Sequence, residues 1–182
     1  SADGLPSHSQ FTQEFRLESN EWGAFDWQAG LYYFDEDISI DSFNYDTLSN
    51  HVLNGDVRQD QQNTAWAVFG SGEYEVTDAF TLRAGIRYTK DEKDFSAERF
   101  VSPIGAGPIG PLTVSTDEDH VSWDLSGTWA LSDDTNVYVR VAEGFRAPSI
   151  QGRLLFGDTV SVADSEDIVS YEAGIKTNLF SD

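Results

Sequence analysis

The chain contains no cysteine and no methionine, and only 11 of its 182 residues are lysine or arginine. Without cysteine there is no disulfide framework and no thiolate chemistry. The 32 acidic residues bring the formal net charge to -21, which excludes nucleic acid as a partner because phosphate binding needs concentrated positive charge. Residues 1–10 lack the basic start and the apolar stretch of a signal peptide, and residue 1 is not an initiator methionine. We therefore expect any export signal to lie outside this sequence.

The chain also lacks an apolar run long enough for a membrane-spanning helix, and its mean hydropathy is -0.41. It has alternation instead, with apolar residues on one parity and polar residues on the other. In one stretch, for example, Leu82, Ala84 and Ile86 alternate with Arg83 and Arg87. The alternating stretches are seven in number: residues 11–19, 26–39, 61–76, 80–95, 120–130, 135–142 and 170–179.

The connections between these stretches alternate in length. Three are short and contain residues that suit tight reversals: 20–25, 77–79 and 131–134. Three are long: about 40–60, 96–119 and 143–169. Within the second of these, the prolines and glycines of residues 103–111 predict a loop tip that cannot pair as strand. This pattern predicts an all-β fold, the wall of an antiparallel transmembrane β-barrel with its long loops outside the cell and its short turns in the periplasm.

Aromatic residues fall near both ends of the apolar parity. Trp66 and Tyr74 share one side of a predicted strand, about 19 Å apart along the membrane normal if each residue rises about 3.3 Å at a tilt of about 45°. This spacing predicts two aromatic girdles at the membrane interfaces. Seven is an odd number of strands, and an open sheet would leave unpaired edges in lipid. We therefore expect residues 1–182 to be one partial barrel domain, open as a fragment of a larger barrel.

Five segments in order resemble the barrel of TonB-dependent outer-membrane receptors. They are FTQEFRLES (11–19), WQAGLYYFDED (27–37), TLRAGIRYTKDEKDF (81–95), VYVRVAEGFRAPSI (137–150) and YEAGIKTNLF (171–180). The most specific is GFRAPS, and the resemblance covers nearly the whole chain. It implies about seven strands of a barrel of the 22-stranded type.

The resemblance further implies active import across the outer membrane of a Gram-negative bacterium. Such a receptor binds a scarce ligand, such as a ferric siderophore or haem, and TonB supplies energy to move a plug that blocks the pore. The expected partners are membrane lipid and lipopolysaccharide, the protein's own plug domain, TonB and a small-molecule ligand that the sequence does not identify. No plug is visible in this sequence, and no cofactor or enzymatic activity is expected. Two alternatives remain, a passive porin-like barrel and a soluble β-sandwich that binds glycans.

Charged residues on the inward parity are the main candidate site. In a receptor they would face the lumen and contact the plug, or pair with one another across strands. The set comprises Glu14, Arg16, Glu73, Arg83, Arg87, Asp124, Arg140, Glu172 and Lys176. Arg146 and Arg153, at the start of the third long loop, are candidates for binding an anionic ligand.

Histidines and acidic runs carry weaker signals. His120 follows an acidic run and has Ser122 nearby, but residues 119 and 120 of a strand point to opposite faces, so no catalytic residue is assigned. A haem-ligand role for His51 or His120 is an alternative to plain solvation. The acidic runs at 35–37, 91–94 and 117–119 have no EF-hand spacing, and we expect them to hydrate the loops and share divalent cations with lipopolysaccharide. No metal ligand is assigned.

Overall fold

The structure is a computed structural model that describes residues 2–19, 23–46, 48 and 50–178. The described residues form β-strands joined by turns and loops. They include no helix that is long and apolar enough to cross a membrane. The strands are β1 (Ala2–Glu18), β2 (Phe25–Asp46), β3 (Val52–Thr77), β4 (Phe80–Val101), β5 (Ile109–Ser132), β6 (Thr135–Arg146), β7 (Ser149–Gln151), β8 (Ser161–Ala163) and β9 (Glu166–Thr177).

Seven strands form a single antiparallel sheet in the order β1-β2-β3-β4-β5-β6-β9. The remaining two, β7 and β8, pair only with each other inside the connection from β6 to β9. Residues 78–79 and 133–134 turn tightly at one end of the sheet, which we call the turn end. The opposite end, the loop end, carries residues 48, 50–51, 102–108 and 147–165. The seven predicted strands are therefore confirmed, apart from residue 179, which lies outside the described residues, as do residues 20–22 of the first predicted short connection. The predicted alternation of short and long connections is not confirmed, because β2 ends at Asp46 and β3 already begins at Val52, where a long loop was expected.

The strands are longer than predicted at the loop end. Most of the expected loops at 40–60 and 96–119 is paired strand, and β1 begins at Ala2 rather than at Phe11. The prediction was wrong there because it looked for apolar residues, whereas a β-ladder needs only backbone hydrogen bonds and compatible cross-strand pairs. Polar pairs such as Ser39 with Asp60, at 2.6 Å, serve as well.

The loop tip predicted at residues 103–111 is also shorter than expected. Ile109, Gly110 and Pro111 belong to β5, and Ile109 pairs with Arg99 after a register shift in β4. The peptide bond between Gly110 and Pro111 is cis. Proline is tolerated here because the shift interrupts the ladder at the strand's first residues.

The sheet has one apolar and one polar face along its lower part, nearer the turn end. On the apolar face Phe15, Leu31, Val68, Tyr88 and Val121 form one row across five strands. These side chains are not covered: Phe15 is 69% exposed and Leu31 57%. A soluble β-sandwich would require a second layer packed on this face, and the described residues provide none.

Aromatic side chains mark two levels of the apolar face. Near the turn end the rings of Phe80 and Trp129 lie 5.9 Å apart, and toward the loop end those of Trp66 and Tyr88 lie 5.5 Å apart. Apolar residues of this face such as Leu82, Ile86 and Leu125 lie between these two levels. The two aromatic levels predicted from the sequence are therefore present.

The best-buried apolar cluster lies on the polar face, at the loop end. It consists of Val57, Phe95, Ala97, Leu154 and Leu155. Residues 147–165, which we call the folded loop, bring the two leucines back over β3 and β4 rather than extending away from the sheet. Gly152 allows the close approach, because a Cβ atom at that position would lie 2.2 Å from the ring of Phe95.

Candidate functional site

All nine charged residues predicted to point inward lie on the polar face. Strand pairing connects them in rows that run across the sheet, for example Arg16, Gly30, Phe69, Arg87 and Ser122. A second row runs through Asp26, Glu73, Arg83, Ser126, Arg140 and Glu172. Sequence alternation thus brings these residues together on one surface.

An aromatic ring separates two of the arginines. The guanidinium carbon of Arg16 lies 5.9 Å from the centre of the Phe69 ring, and that of Arg87 lies 5.6 Å from it. Arg87 also lies 5.2 Å from the ring of Tyr32. Phe69 covers Gly30, where a Cβ atom would be 2.4 Å from the ring. Cation–π contacts of this kind hold guanidinium groups in place while leaving their N–H donors available to another partner.

The next arginines flank an aspartate in a shallow cleft of about 290 Å³. Arg83 and Arg140 line this cleft with Asp124, and the Nε atom of Arg140 lies 3.9 Å from Asp124 Oδ2. Gly85 makes room for the carboxylate, because a Cβ atom there would lie 2.5 Å from Asp124 Oδ1. Glu143 lines the cleft as well. Arg83, Arg87 and Arg140 therefore form a basic surface beside two carboxylates, and this surface can receive acidic side chains from a facing domain.

The remaining predicted charges extend this surface to both sides. Arg16 Nη2 donates to Glu14 Oε1 at 2.6 Å on β1. On the far side Tyr138 donates to Glu172 at 2.6 Å, and the Lys176 ammonium lies 5.4 Å from the Tyr138 ring. Both signs of charge are thus interspersed over the polar face.

The two arginines proposed for an anionic ligand lie in different surroundings. Arg146 is the exposed last residue of β6, in register with Glu166. Arg153 belongs to the folded loop, and its Nη2 lies 3.8 Å from Asp3 Oδ1 at the start of β1. Arg153 also lines a cleft of about 220 Å³ with Ile38, Gln59 and Ile150. The structure does not place these two arginines in a common cluster.

Arg99 is a buried residue that the sequence analysis missed. Only 2% of it is exposed, and its guanidinium donates to the carbonyl oxygens of Gly107, Leu154 and Gly157 at 2.9 to 3.1 Å and pairs with Asp158 at 2.6 Å. The signal was available, because Phe95 and Ala97 put apolar residues on the polar parity just before it. Arg99 fastens the folded loop to β4.

Acidic residues near the loop end are partly neutralised. On the polar face His8 contacts Glu36 at 3.0 Å and Asn63 donates to it at 2.8 Å. The hydrogen bond with His8, followed by that from Asn63, holds the pKa of Glu36 below its usual value of 4.5.

The three acidic runs split between the two faces, as alternation requires. Glu92 and Asp117 are direct cross-strand partners on the face opposite to the arginines, and Lys90 pairs with both. Asp119 and His120 point to opposite faces, as predicted. Among the described residues the acidic runs provide no group of three metal ligands; the group that meets this criterion is His120, Glu143 and Asp167.

Comparisons with known proteins agree with this architecture. A family model described as TonB dependent receptor-like, beta-barrel, matches residues 3–182. The pesticin receptor of Yersinia pestis is 27% identical over 110 residues, which cover 60% of this chain and 16% of that protein. That of Yersinia enterocolitica is 26% identical over the same length. The chain thus spans about a sixth of the length of these curated relatives.

Two solved structures share the fold. The ferric yersiniabactin uptake receptor FyuA from Yersinia pestis matches with a TM-score of 0.83 and 21% identity, over 94% of this chain and 26% of that chain. The ferric-catecholate import receptor Fiu from E. coli K12 matches with a TM-score of 0.60 and 12% identity, over 95% of this chain and 34% of that chain. At these identities the structural matches establish the fold alone.

Proposed function

Because the chain belongs to the TonB-dependent receptor-like β-barrel family, we propose that it is part of an outer-membrane receptor that imports a scarce ligand with energy supplied through TonB. The observation that carries the proposal is a family match over almost the whole chain, on a sheet with one exposed apolar face and one charged face. The match favours a receptor over a passive porin or a glycan-binding sandwich. It also favours transport over catalysis, since the relatives are receptors.

The apolar face is proposed to contact the lipid of a Gram-negative outer membrane. Its two aromatic levels fit the interfaces of a bilayer, where Trp and Tyr are enriched. Beyond the level of Trp66, the same face carries carboxylates that include Asp37, Asp60, Asp94 and Asp117. We place these beside the lipopolysaccharide headgroups, whose divalent cations would offset their charge.

The polar face is proposed to contact the protein's own plug domain. The guanidinium group of Arg87 lies over Phe69, that of Arg140 lies beside Asp124, and Arg83 lines the same cleft. A guanidinium group has five N–H donors, so donors remain for another partner. Acidic groups on a plug would pair with them without new ordering of the wall. Because charges of both signs are interspersed on this face, the pairs would mainly determine how the two domains align. They would contribute less to the strength of the association.

An iron chelate is the substrate class we favour. FyuA and Fiu are named for the uptake of ferric yersiniabactin and of ferric catecholates. Arg146 and Arg153 lie at the loop end, where an incoming ligand would arrive, and guanidinium groups suit an anionic chelate. Because Arg153 already pairs with Asp3, we assign the first contact to Arg146.

Iron uptake tests the proposed function directly. The gene for the full-length protein would be deleted from its host and restored on a plasmid, and ⁵⁵Fe uptake would be measured with a panel of siderophores and with haem under iron limitation. We expect one of these chelates to be taken up only when both the gene and TonB are present. Uptake that is unchanged without TonB would contradict active import and favour a passive pore.

Charge reversal tests the plug contact. Arg87→Glu should lower uptake at an unchanged amount of receptor in the outer membrane, because it would place a carboxylate against acidic groups of the plug. Arg58→Glu is the matched control, since Arg58 pairs with Asp41 at 3.0 Å on the opposite face. Equal loss in both variants would contradict a specific role for the polar face.

A further inference from the structure

A histidine lies between two carboxylates where β5 separates from β6. The Nε2 atom of His120 is 2.7 Å from Glu143 Oε1, and its Nδ1 atom is 3.5 Å from Asp167 Oδ1. One ligand atom from each residue falls within 4.8 Å of the others. These three residues come from β5, β6 and β9. Glu143 also lines the cleft that contains the three arginines, whereas His120 and Asp167 lie outside it.

The strand pairing explains why they meet. The ladder between β5 and β6 ends at the pair Trp123 and Glu143, whereas β6 and β9 remain paired up to Arg146 and Glu166. Glu143, in this last pair between β5 and β6, shares the parity of Val139 and Val141, but its side chain contacts His120. Three strands thus contribute to one cluster without a backbone ladder between β5 and β6.

The neighbours hold the imidazole in a fixed orientation. The ring of His120 stacks on that of Phe145, with centroids 4.5 Å apart and an angle of 22° between the planes. Glu118, the preceding residue on the same face of β5, accepts a hydrogen bond from Ser165 at 3.1 Å and so keeps the start of β9 close. The side chains of His120 and Glu143 are only 16% and 15% exposed, whereas that of Asp167 is 66% exposed. The cluster therefore has a rigid inner side and an open outer side.

This donor set has a clear chemical preference. A neutral imidazole with two carboxylates suits borderline ions such as Zn²⁺, while Ca²⁺ and Mg²⁺ prefer oxygen ligands alone. Donor atoms around a tetrahedral zinc ion lie about 3.3 Å apart when each bond is about 2.0 Å. The 2.7 Å contact between His120 and Glu143 therefore needs to open by about 0.6 Å, and the widest separation, at most 4.8 Å, needs to close by up to about 1.5 Å. The exposed aspartate can move by that amount, and water can take the remaining position.

We propose that His120, Glu143 and Asp167 form a site for a divalent transition-metal ion of the zinc class. The ion replaces the direct contact between His120 and Glu143 and ties β5 to β6 and β9 where their ladder is incomplete. Any proton on the imidazole leaves when the metal binds. Since the folded loop connects β6 with β9, the bound ion also fixes the base of that loop. The site is independent of the imported ligand.

Zinc binding to the purified full-length protein tests the proposal. The protein, in detergent and treated with a chelator, would be titrated with Zn²⁺ by isothermal calorimetry without any siderophore. We expect His120→Ala to remove one equivalent of bound zinc. Asp167→Asn should lower the affinity for that zinc ion by about tenfold or more. The matched control is His8→Ala, because His8 has a single carboxylate partner, Glu36, at 3.0 Å.

Two further measurements keep the outcomes distinct. Glu143→Gln retains the shape of the side chain, so it replaces His120→Ala if that variant fails to assemble, and it should also lose the zinc equivalent. X-ray absorption of the zinc-loaded protein should show one nitrogen ligand of imidazole type among oxygen ligands. Equal zinc binding by the wild type and His120→Ala would overturn the proposal and leave the cluster as a doubly paired histidine. Because no transport is measured, a negative result here leaves the uptake experiment unaffected.

Discussion

Arg99 is the single residue on which the position of the folded loop depends most directly. Replacing it by methionine keeps most of the side-chain volume but leaves the carbonyl groups of Gly107, Leu154 and Gly157 without their donor. We expect Arg99→Met to destabilise the docked loop by about 3 kcal/mol. Limited proteolysis should then cut within residues 152–158 much faster than in the wild type.

The control for this substitution is Asp158→Asn. Asp158 is the exposed partner of Arg99, with 58% of its side chain accessible. Asparagine keeps an oxygen that can accept from Arg99, and the contacts of Arg99 with three carbonyl groups remain, so cleavage should rise much less than in Arg99→Met. If the two variants were cut equally fast, the buried carbonyl contacts of Arg99 would not be what holds the loop.

Glu36 predicts a pH dependence at the loop end of β1 and β2. Its hydrogen bond with His8 lowers its pKa below 4.5, so the stabilisation is present above that pH and is lost as the pH falls through the lowered pKa. Hydrogen exchange of β1, corrected for intrinsic rates, should show greater protection in the wild type than in Glu36→Gln at about pH 6. The difference should vanish in acid, and a difference that persists there would contradict this role.

Alternation was enough to predict the polar-face residues but not their partners. Side-chain direction in a strand repeats every two residues, so the face of Arg83 or Asp124 follows from the sequence once a strand is recognised. Which residues meet across strands depends on register and on where a ladder ends. Glu143 shows the limit, because it lies in β6 on the parity of the apolar face and yet contacts His120 on the polar parity of β5.

At the scale of elements, the strands extend well past the aromatic level at the loop end. This extension could not be read from hydrophobicity, since polar residues such as Asp, Ser, Gln and Thr interrupt the apolar alternation there. It matters for the site because it raises β3 and β4 into a surface on which the folded loop rests. The apolar residues Val57 and Phe95 on that surface are the counterpart of Leu154 and Leu155 in the loop.

Gly152 gives a prediction for the folded loop as an element. A Cβ atom at this position would lie 2.2 Å from the ring of Phe95, so Gly152→Ala should force the loop away and cost about 1–3 kcal/mol of docking stability. Gly157→Ala is the matched control, because no atom lies within 4 Å of a Cβ atom there. Hydrogen exchange of residues 152–158 in the full-length protein would show greater loss of protection in the first variant. Equal protection in both would mean that the loop does not pack on Phe95.

At the scale of the whole molecule, the sheet separates two kinds of surface. The seven strands of the sheet and its two faces followed from the sequence, because period-two alternation is a local property that the barrel repeats. The family followed from the five segments that resemble TonB-dependent receptors. The shape of the folded loop did not follow, because it depends on contacts between residues far apart in the chain, such as Arg99 with Leu154. The faces therefore support the firmest prediction for the assembled protein.

Leu125 tests whether the apolar face meets lipid. It lies on this face between the two aromatic levels, in register with Ala84 and Val141, and is 45% exposed. In a bilayer, Leu125→Arg should destabilise the barrel by about 2–4 kcal/mol, because the charge would lie near the membrane midplane. Gln28→Arg, at a similar level but on the polar face beside Glu18, should change stability by less than about 0.5 kcal/mol. Urea unfolding of the full-length protein in lipid vesicles would compare them, and equal losses would mean that the apolar face is covered by protein rather than by lipid.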